Sequence, residues 1–220
     1  MCFSAEASFA GGIIISTIGV ATVKEVHKPS QLVFASIPLF FGAQQITEGC
    51  LWLTLPNPEY GNVQMFAKYF FLIMADVLWP MMIPFSVLFM EKNKKRKKIL
   101  WILLLMGISA SLYYAYCLLF FNVTPQINGY HIQYKSDFPS SWTMLAFITY
   151  FIASVTPLFV SSIKRTHLLG ILMFLSCVVT AVFFWQYLAS VWCFFAAIMS
   201  ICIYFILRES KKDEAGINKA

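Results

Sequence analysis

Gln44, Gln45, Glu48 and Trp52 bring two amides, a carboxylate and an indole into a stretch that is otherwise apolar. A carboxylate in a segment of lipid-spanning composition costs free energy, so such a residue marks a site for a cation, a proton or a polar substrate group. Residues four apart share one helix face, which stacks Gln44, Glu48 and Trp52 along one side with Gln45 just off it. A second carboxylate, Asp76, sits in the next apolar run, followed by Trp79-Pro80 and by Pro84 one turn later. Proline inside a helix frees the carbonyl four residues before it, here that of Asp76. The two runs are joined by the short stretch Pro56–Gln64, so Glu48 and Asp76 are expected to share one outward-opening pocket. In the structural alternative each carboxylate is hydrogen-bonded to a helix partner such as Tyr113, Tyr114 or Tyr150.

The elements that must position these groups are seven apolar runs, at about 8–23, 31–55, 66–90, 99–121, 142–160, 168–185 and 188–207, followed by a polar tail, 208–220. Most reach the length needed to cross a hydrocarbon core of about 30 Å at about 1.5 Å per residue. The first is short and needs its flanks. Only a tight turn near Gln186-Tyr187 separates the last two, so six spans is the competing count. Apolar residues are 60% of the chain and charged ones 12%. Soluble domains carry roughly a quarter charged residues, which excludes that class. The fold class is therefore all-α, a polytopic membrane bundle of about seven spans in one domain.

Lys and Arg set the orientation. With the N-terminus outside, the inner loops at 24–30, 91–98 and 161–167 and the tail hold 2, 6, 2 and 4 of them, 14 of 16. Only Lys68 and Lys135 fall on the outer side. The net charge of +6 is thus a topology signal, and no arginine-rich arm or nucleic-acid motif accompanies it. The run Glu91–Lys98 reads as a stop-transfer loop, with anionic headgroups as its other reading. Small residues Gly11 and Gly12 in the first run, and Gly42 and Gly49 in the second, mark faces for close helix contact. The loop Asn122–Ser141 is read as either a lid or a disordered connection.

Further candidate groups lie at the outer ends. Glu6 and Trp192 extend the expected pocket of Gln44, Gln45, Glu48, Trp52 and Asp76. Cys2 and Cys193 are the weak candidates for a disulfide or for soft metal ligands. The six cysteines show no CxxC spacing, and most sit in apolar runs as small hydrophobes. The three histidines, 27, 131 and 167, all fall in loops. That placement argues against a haem held by two histidines and against zinc-dependent seven-helix hydrolases. The last run has no lysine, which argues against retinal. No cofactor is predicted.

The opening Met-Cys-Phe-Ser-Ala-Glu-Ala-Ser-Phe, the set Gln44-Gln45-x-x-Glu48-Gly49-x-x-Trp52 and Ser190-Val-Trp192-Cys193-Phe-Phe-Ala-Ala resemble a family of uncharacterised bacterial membrane proteins. The resemblance spans nearly the whole chain. It implies a multi-pass protein of the bacterial cytoplasmic membrane and weights Cys2, Glu48, Trp52 and Cys193, without supplying an activity. Membrane lipids are the expected partners, together with a small-molecule or ion ligand. Three functions are carried forward: a pocket that binds or transports a cation, a proton-coupled solute or a small amphiphile; a lipid-modifying enzyme using the carboxylate pair; and a sensor or accessory subunit with structural carboxylates.

Overall fold

The seven apolar runs coincide with seven helical rods in the computed structural model, which describes residues 4–183 and 188–217, with side chains at 4–183 and 195–213. In chain order these are α1 (Ala5–Lys24), α2 (Leu32–Thr54), a long third rod, α5 (Lys94–Phe120), α6 (Ser140–Val160), α7 (Thr166–Phe183) and α8 (Leu188–Ile217). The third rod runs through α3 (Gly61–Leu72), a π-helical segment (Ile73–Leu78) and α4 (Trp79–Met90). Side-chain caps set some of the boundaries. Ser4 Oγ accepts from the Ala7 N–H at 3.2 Å, and Asn93 Oδ1 accepts from the N–H groups of Lys95 and Arg96 at 2.9 and 3.3 Å.

Among the described residues, five helices are long and apolar enough to cross a membrane: Ala5–Lys24, Pro58–Met90, Lys94–Phe120, Ser140–Val160 and Thr166–Phe183. Helix α2 is not one of them, because Gln44, Gln45 and Glu48 lower the hydropathy of its middle. The turn expected near Gln186-Tyr187 lies outside the described residues.

Consecutive helices pack side by side, and α8 returns to pack on α1, which closes the bundle. Contacts of α2 with α8 and of α4 with α6 fill its middle. Helices α1 and α2 make the closest approach. A Cβ at Gly12 would lie 2.6 Å from Ile46 Cγ1, one at Gly42 would overlap Ser16 Oγ, and Gly49 lies against the Phe9 ring. Gly12 and Gly42, two of the small residues expected to allow close contact, therefore face each other. Gly107 of α5 likewise lies directly against the Pro80 carbonyl oxygen of α4.

The loop at 122–141 is an ordered β-hairpin, which removes the expectation of a disordered connection. Strands β1 (Val123–Asn128) and β2 (His131–Ser136) pair antiparallel, with Asn128 opposite His131 across a two-residue loop. Gly129 takes the left-handed conformation there, φ +61°, at the first loop position, as a II′-type hairpin requires. Val123 and Ile132 are buried with Leu51, Phe71, Leu72 and Leu118 in an apolar cluster separate from the main core. Tyr134 stacks on Phe71 with ring centroids 5.0 Å apart, and Lys68 Nζ donates to the Val123 carbonyl at 3.1 Å.

The opposite, lysine-rich end is fastened by Glu91. Its carboxylate accepts from the backbone N–H groups of Lys92, Asn93 and Ser162 at 2.9, 2.8 and 2.7 Å, and from the Ser162 hydroxyl at 2.6 Å. The α4–α5 turn is thereby tied to the α6–α7 connection. Burial pushes the Glu91 carboxyl up, but these hydrogen bonds outweigh it and hold the group below the ordinary value of 4.5.

Two outcomes follow. Gly107→Val places methyl groups in the space of the Pro80 carbonyl and is expected to destabilise the purified protein by at least about 1–3 kcal/mol. Gly61→Ala, with no atom within 4 Å of the added Cβ, should leave the melting temperature nearly unchanged. A carboxyl held low in the folded state stabilises fully above its unfolded value and loses that contribution as pH falls. Melting of the wild type should therefore fall below pH 4.5 more steeply than that of Glu91→Gln, and equal pH profiles would exclude the role given to Glu91.

Candidate functional site

Helix α2 turns its polar face inward. Gln44, Gln45 and Glu48 are all buried, at 1%, 0% and 0% exposure. Gln45 Nε2 donates to Glu48 Oε2 at 3.0 Å, one turn along the same helix. Gln44 Oε1 accepts from the Trp79 indole N–H of α4 at 2.9 Å, and Phe41 stacks on the Trp79 ring at 4.2 Å between centroids. These groups form a polar seam where α2 meets its neighbours. Buried polar atoms need such partners, because an unpaired one costs about 1–3 kcal/mol.

Asp76 takes a different direction. It lies in the π-helical segment that precedes Trp79-Pro80. Proline donates no N–H, and the wider turns accommodate the interruption without ending the rod. Two carbonyls of this segment are taken up by neighbouring helices. Tyr150 of α6 donates its hydroxyl to the Ala75 carbonyl at 2.9 Å, and Ser111 of α5 donates to that of Val77 at 2.6 Å. Tyr113, another of the expected carboxylate partners, shares its hydroxyl with Thr143 instead.

The Asp76 side chain faces a pocket of about 430 Å³ that the hairpin roofs. Its walls come from the third rod (Leu72), α5 (Tyr114), the hairpin (Val123, Tyr134) and α6 (Thr143, Phe147). Among the described residues no hydrogen bond or ion pair reaches the Asp76 carboxylate. The pocket therefore offers one carboxylate among aromatic rings and aliphatic groups, with hydroxyls at Ser136, Ser140 and Thr143 near its rim.

Glu48 is not among the residues that line this pocket. Trp79 meets Gln44 on α2, while Asp76, three residues earlier, lines a pocket whose other walls include α5 and α6.

The remaining predicted residues are scattered. Trp52 joins the apolar cluster beneath the hairpin, and its buried indole N–H has no hydrogen-bond partner among the described residues. Glu6 is exposed in the first turn of α1. The Trp192 side chain, and Cys2 and Cys193 with their expected pairing or metal, lie outside the described residues. Cys50, Cys117, Cys177 and Cys202 are free thiols. The hairpin residues that complete the pocket fall in the stretch read as a lid or a disordered connection, without its strands being recognised. Their signal was Gly129 between runs alternating about Ile127 and Ile132, a pattern characteristic of hairpins.

Fold and site together define a helical bundle with several membrane-length apolar helices and a carboxylate-bearing pocket at one end. The chain belongs to the DUF6629 family, a family of unknown function, which matches it over residues 1–218. No curated protein and no solved structure matches the chain.

The contacts of the π segment generate a direct expectation. Tyr150→Phe removes the donor to the Ala75 carbonyl inside the bundle and should lower stability by about 1–3 kcal/mol. Thr149→Val removes a hydroxyl that only returns to its own helix, on Leu145, at an exposed position. Thermal melts of the two variants should differ clearly, and equal melts would mean that the Ala75 carbonyl is satisfied without Tyr150.

Proposed function

We propose that the protein is a multi-pass protein of the bacterial cytoplasmic membrane, N-terminus outside and C-terminus inside, whose Asp76 pocket takes up the cationic group of a small amphiphile. The observation that carries this reading is a carboxylate with no protein partner among the described residues, set in a pocket of aromatic and aliphatic walls. A charge at that depth is costly, and a ligand cation compensates it while its apolar body covers the walls. Tyr114 and Tyr134 present π systems that attract organic cations. A bare metal ion fits less well. Calcium draws on about six to eight oxygen ligands, whereas the pocket supplies one carboxylate.

The orientation rests on the positive-inside rule, since the loops carrying most Lys and Arg gather at the end opposite the hairpin. The pocket then opens toward the outer face. The Gln44–Gln45–Glu48 seam serves to position the third rod through Trp79, and Asp76 is the ligand-binding group.

The test uses purified protein in neutral detergent, titrated with hydrophobic quaternary ammonium and phosphonium cations and with neutral isosteres of the same size. The cations should bind and raise the melting temperature of the wild type, and the isosteres should not. Asp76→Asn is expected to weaken cation binding by at least about tenfold, the loss of one charge-assisted contact. Binding that is indifferent to ligand charge, or equal in Asp76→Asn, would sink the reading.

A further inference from the structure

At the end opposite the hairpin, a second cavity of about 250 Å³ opens where several connections converge. Lys28 reaches it from the α1–α2 connection, Lys92 from the α4–α5 turn and Lys164 from the α6–α7 connection. Its acidic residues, Glu209 and Asp213, both come from α8, and both are engaged. Glu209 pairs with Arg165 at 2.7 Å, and Asp213 pairs with Lys164 at 2.8 Å. Lys92 forms no ion pair among the described residues. Burial, and then the charge of Lys92, hold the Lys28 ammonium below the usual lysine range.

The neutral groups are held in place. Gln31 is 5% exposed. Its Oε1 accepts from the backbone N–H groups of His27 and Lys28 at 3.2 and 3.3 Å, and its Nε2 donates to Ser210 Oγ at 3.3 Å. Those bonds fix the loop that carries Lys28 against α8. On the other side, the Glu91 contacts fix the turn that carries Lys92. Two ammonium groups are therefore brought to one cavity by separate, restrained loops. Like charges so placed repel, and an anion between them converts the repulsion into attraction. A phosphate group suits the arrangement, because it carries up to two charges and several oxygens that accept charge-assisted hydrogen bonds.

We propose that this cavity is a phosphate-binding site, in which Lys28 and Lys92 hold the phosphate of a monoester or diester. The site is separate from the Asp76 pocket and does not depend on that pocket's ligand. A phospholipid headgroup and a soluble phosphate compound share this chemistry.

Full-length protein in neutral detergent is titrated with inorganic phosphate, with short-chain phosphatidic acid and with diacylglycerol of the same chain length, and binding is read by calorimetry and by melting temperature. At least one phosphate probe should bind, diacylglycerol should not, and Lys92→Gln and Lys28→Gln should each weaken binding by about tenfold or more. Lys92→Arg should restore most of it. Lys95→Gln, a change at an exposed lysine outside the cavity, should bind as the wild type does. Tighter binding of phosphatidic acid assigns the site to a lipid headgroup, and equal affinities assign it to a soluble phosphate. Absence of binding by both phosphate probes, or an equal loss in Lys95→Gln, would overturn the proposal.

Discussion

Inside an apolar bundle a polar group left without a partner is costly. That constraint fixes the third rod. Its prolines and π turns leave carbonyls that regular helical bonding does not reach, and Tyr150 and Ser111 arrive from two other helices to take those of Ala75 and Val77. Trp79, at the next turn, is claimed by Gln44 of α2. Four helices are thus held in register by three hydrogen bonds to one short stretch. Gly107 allows α5 close enough to Pro80 for its part of this bonding. Asp76 is the polar group of that stretch that the protein leaves unbonded among the described residues, and this omission is what makes its pocket the candidate site.

The polar residues divide accordingly into two kinds. Gln44, Gln45 and Glu48 are enclosed and hydrogen-bonded where α2 meets its neighbours. Asp76 stands at the edge of a cavity. Both kinds read alike in a sequence, as charge or amide within an apolar run, and only packing separates them.

Much of the fold was legible. Periodic apolar runs of membrane length foretold the helices, and the glycines at 12, 42 and 49 foretold the close approach of α1 and α2. The distribution of lysine foretold which loops gather at one end. The surroundings of Asp76 were not legible, because its pocket is assembled from the hairpin and from helices distant in sequence. The hairpin escaped for another reason. Its polar and aromatic residues resemble a solvated loop, and the Gly129 turn signal carries meaning only when the flanking alternation of Val123, Ile127 and Ile132 is read with it. The Glu91 fastening could not be foreseen either, since its partner Ser162 is distant in sequence and ordinary in type.

The two ends of the bundle are fastened by different forces. Ion pairs of Lys211 with Glu25, Lys164 with Asp213 and Arg165 with Glu209 secure α8 at one end, whereas stacking and apolar burial secure the hairpin at the other. Exposed ion pairs weaken as ionic strength rises, while apolar burial is unaffected or strengthened by excluded salts. Salt therefore works on this molecule as a directional loosening agent. It acts on the charged contacts between the last turns of α8 and the neighbouring loops and leaves the apolar contacts of the hairpin in place.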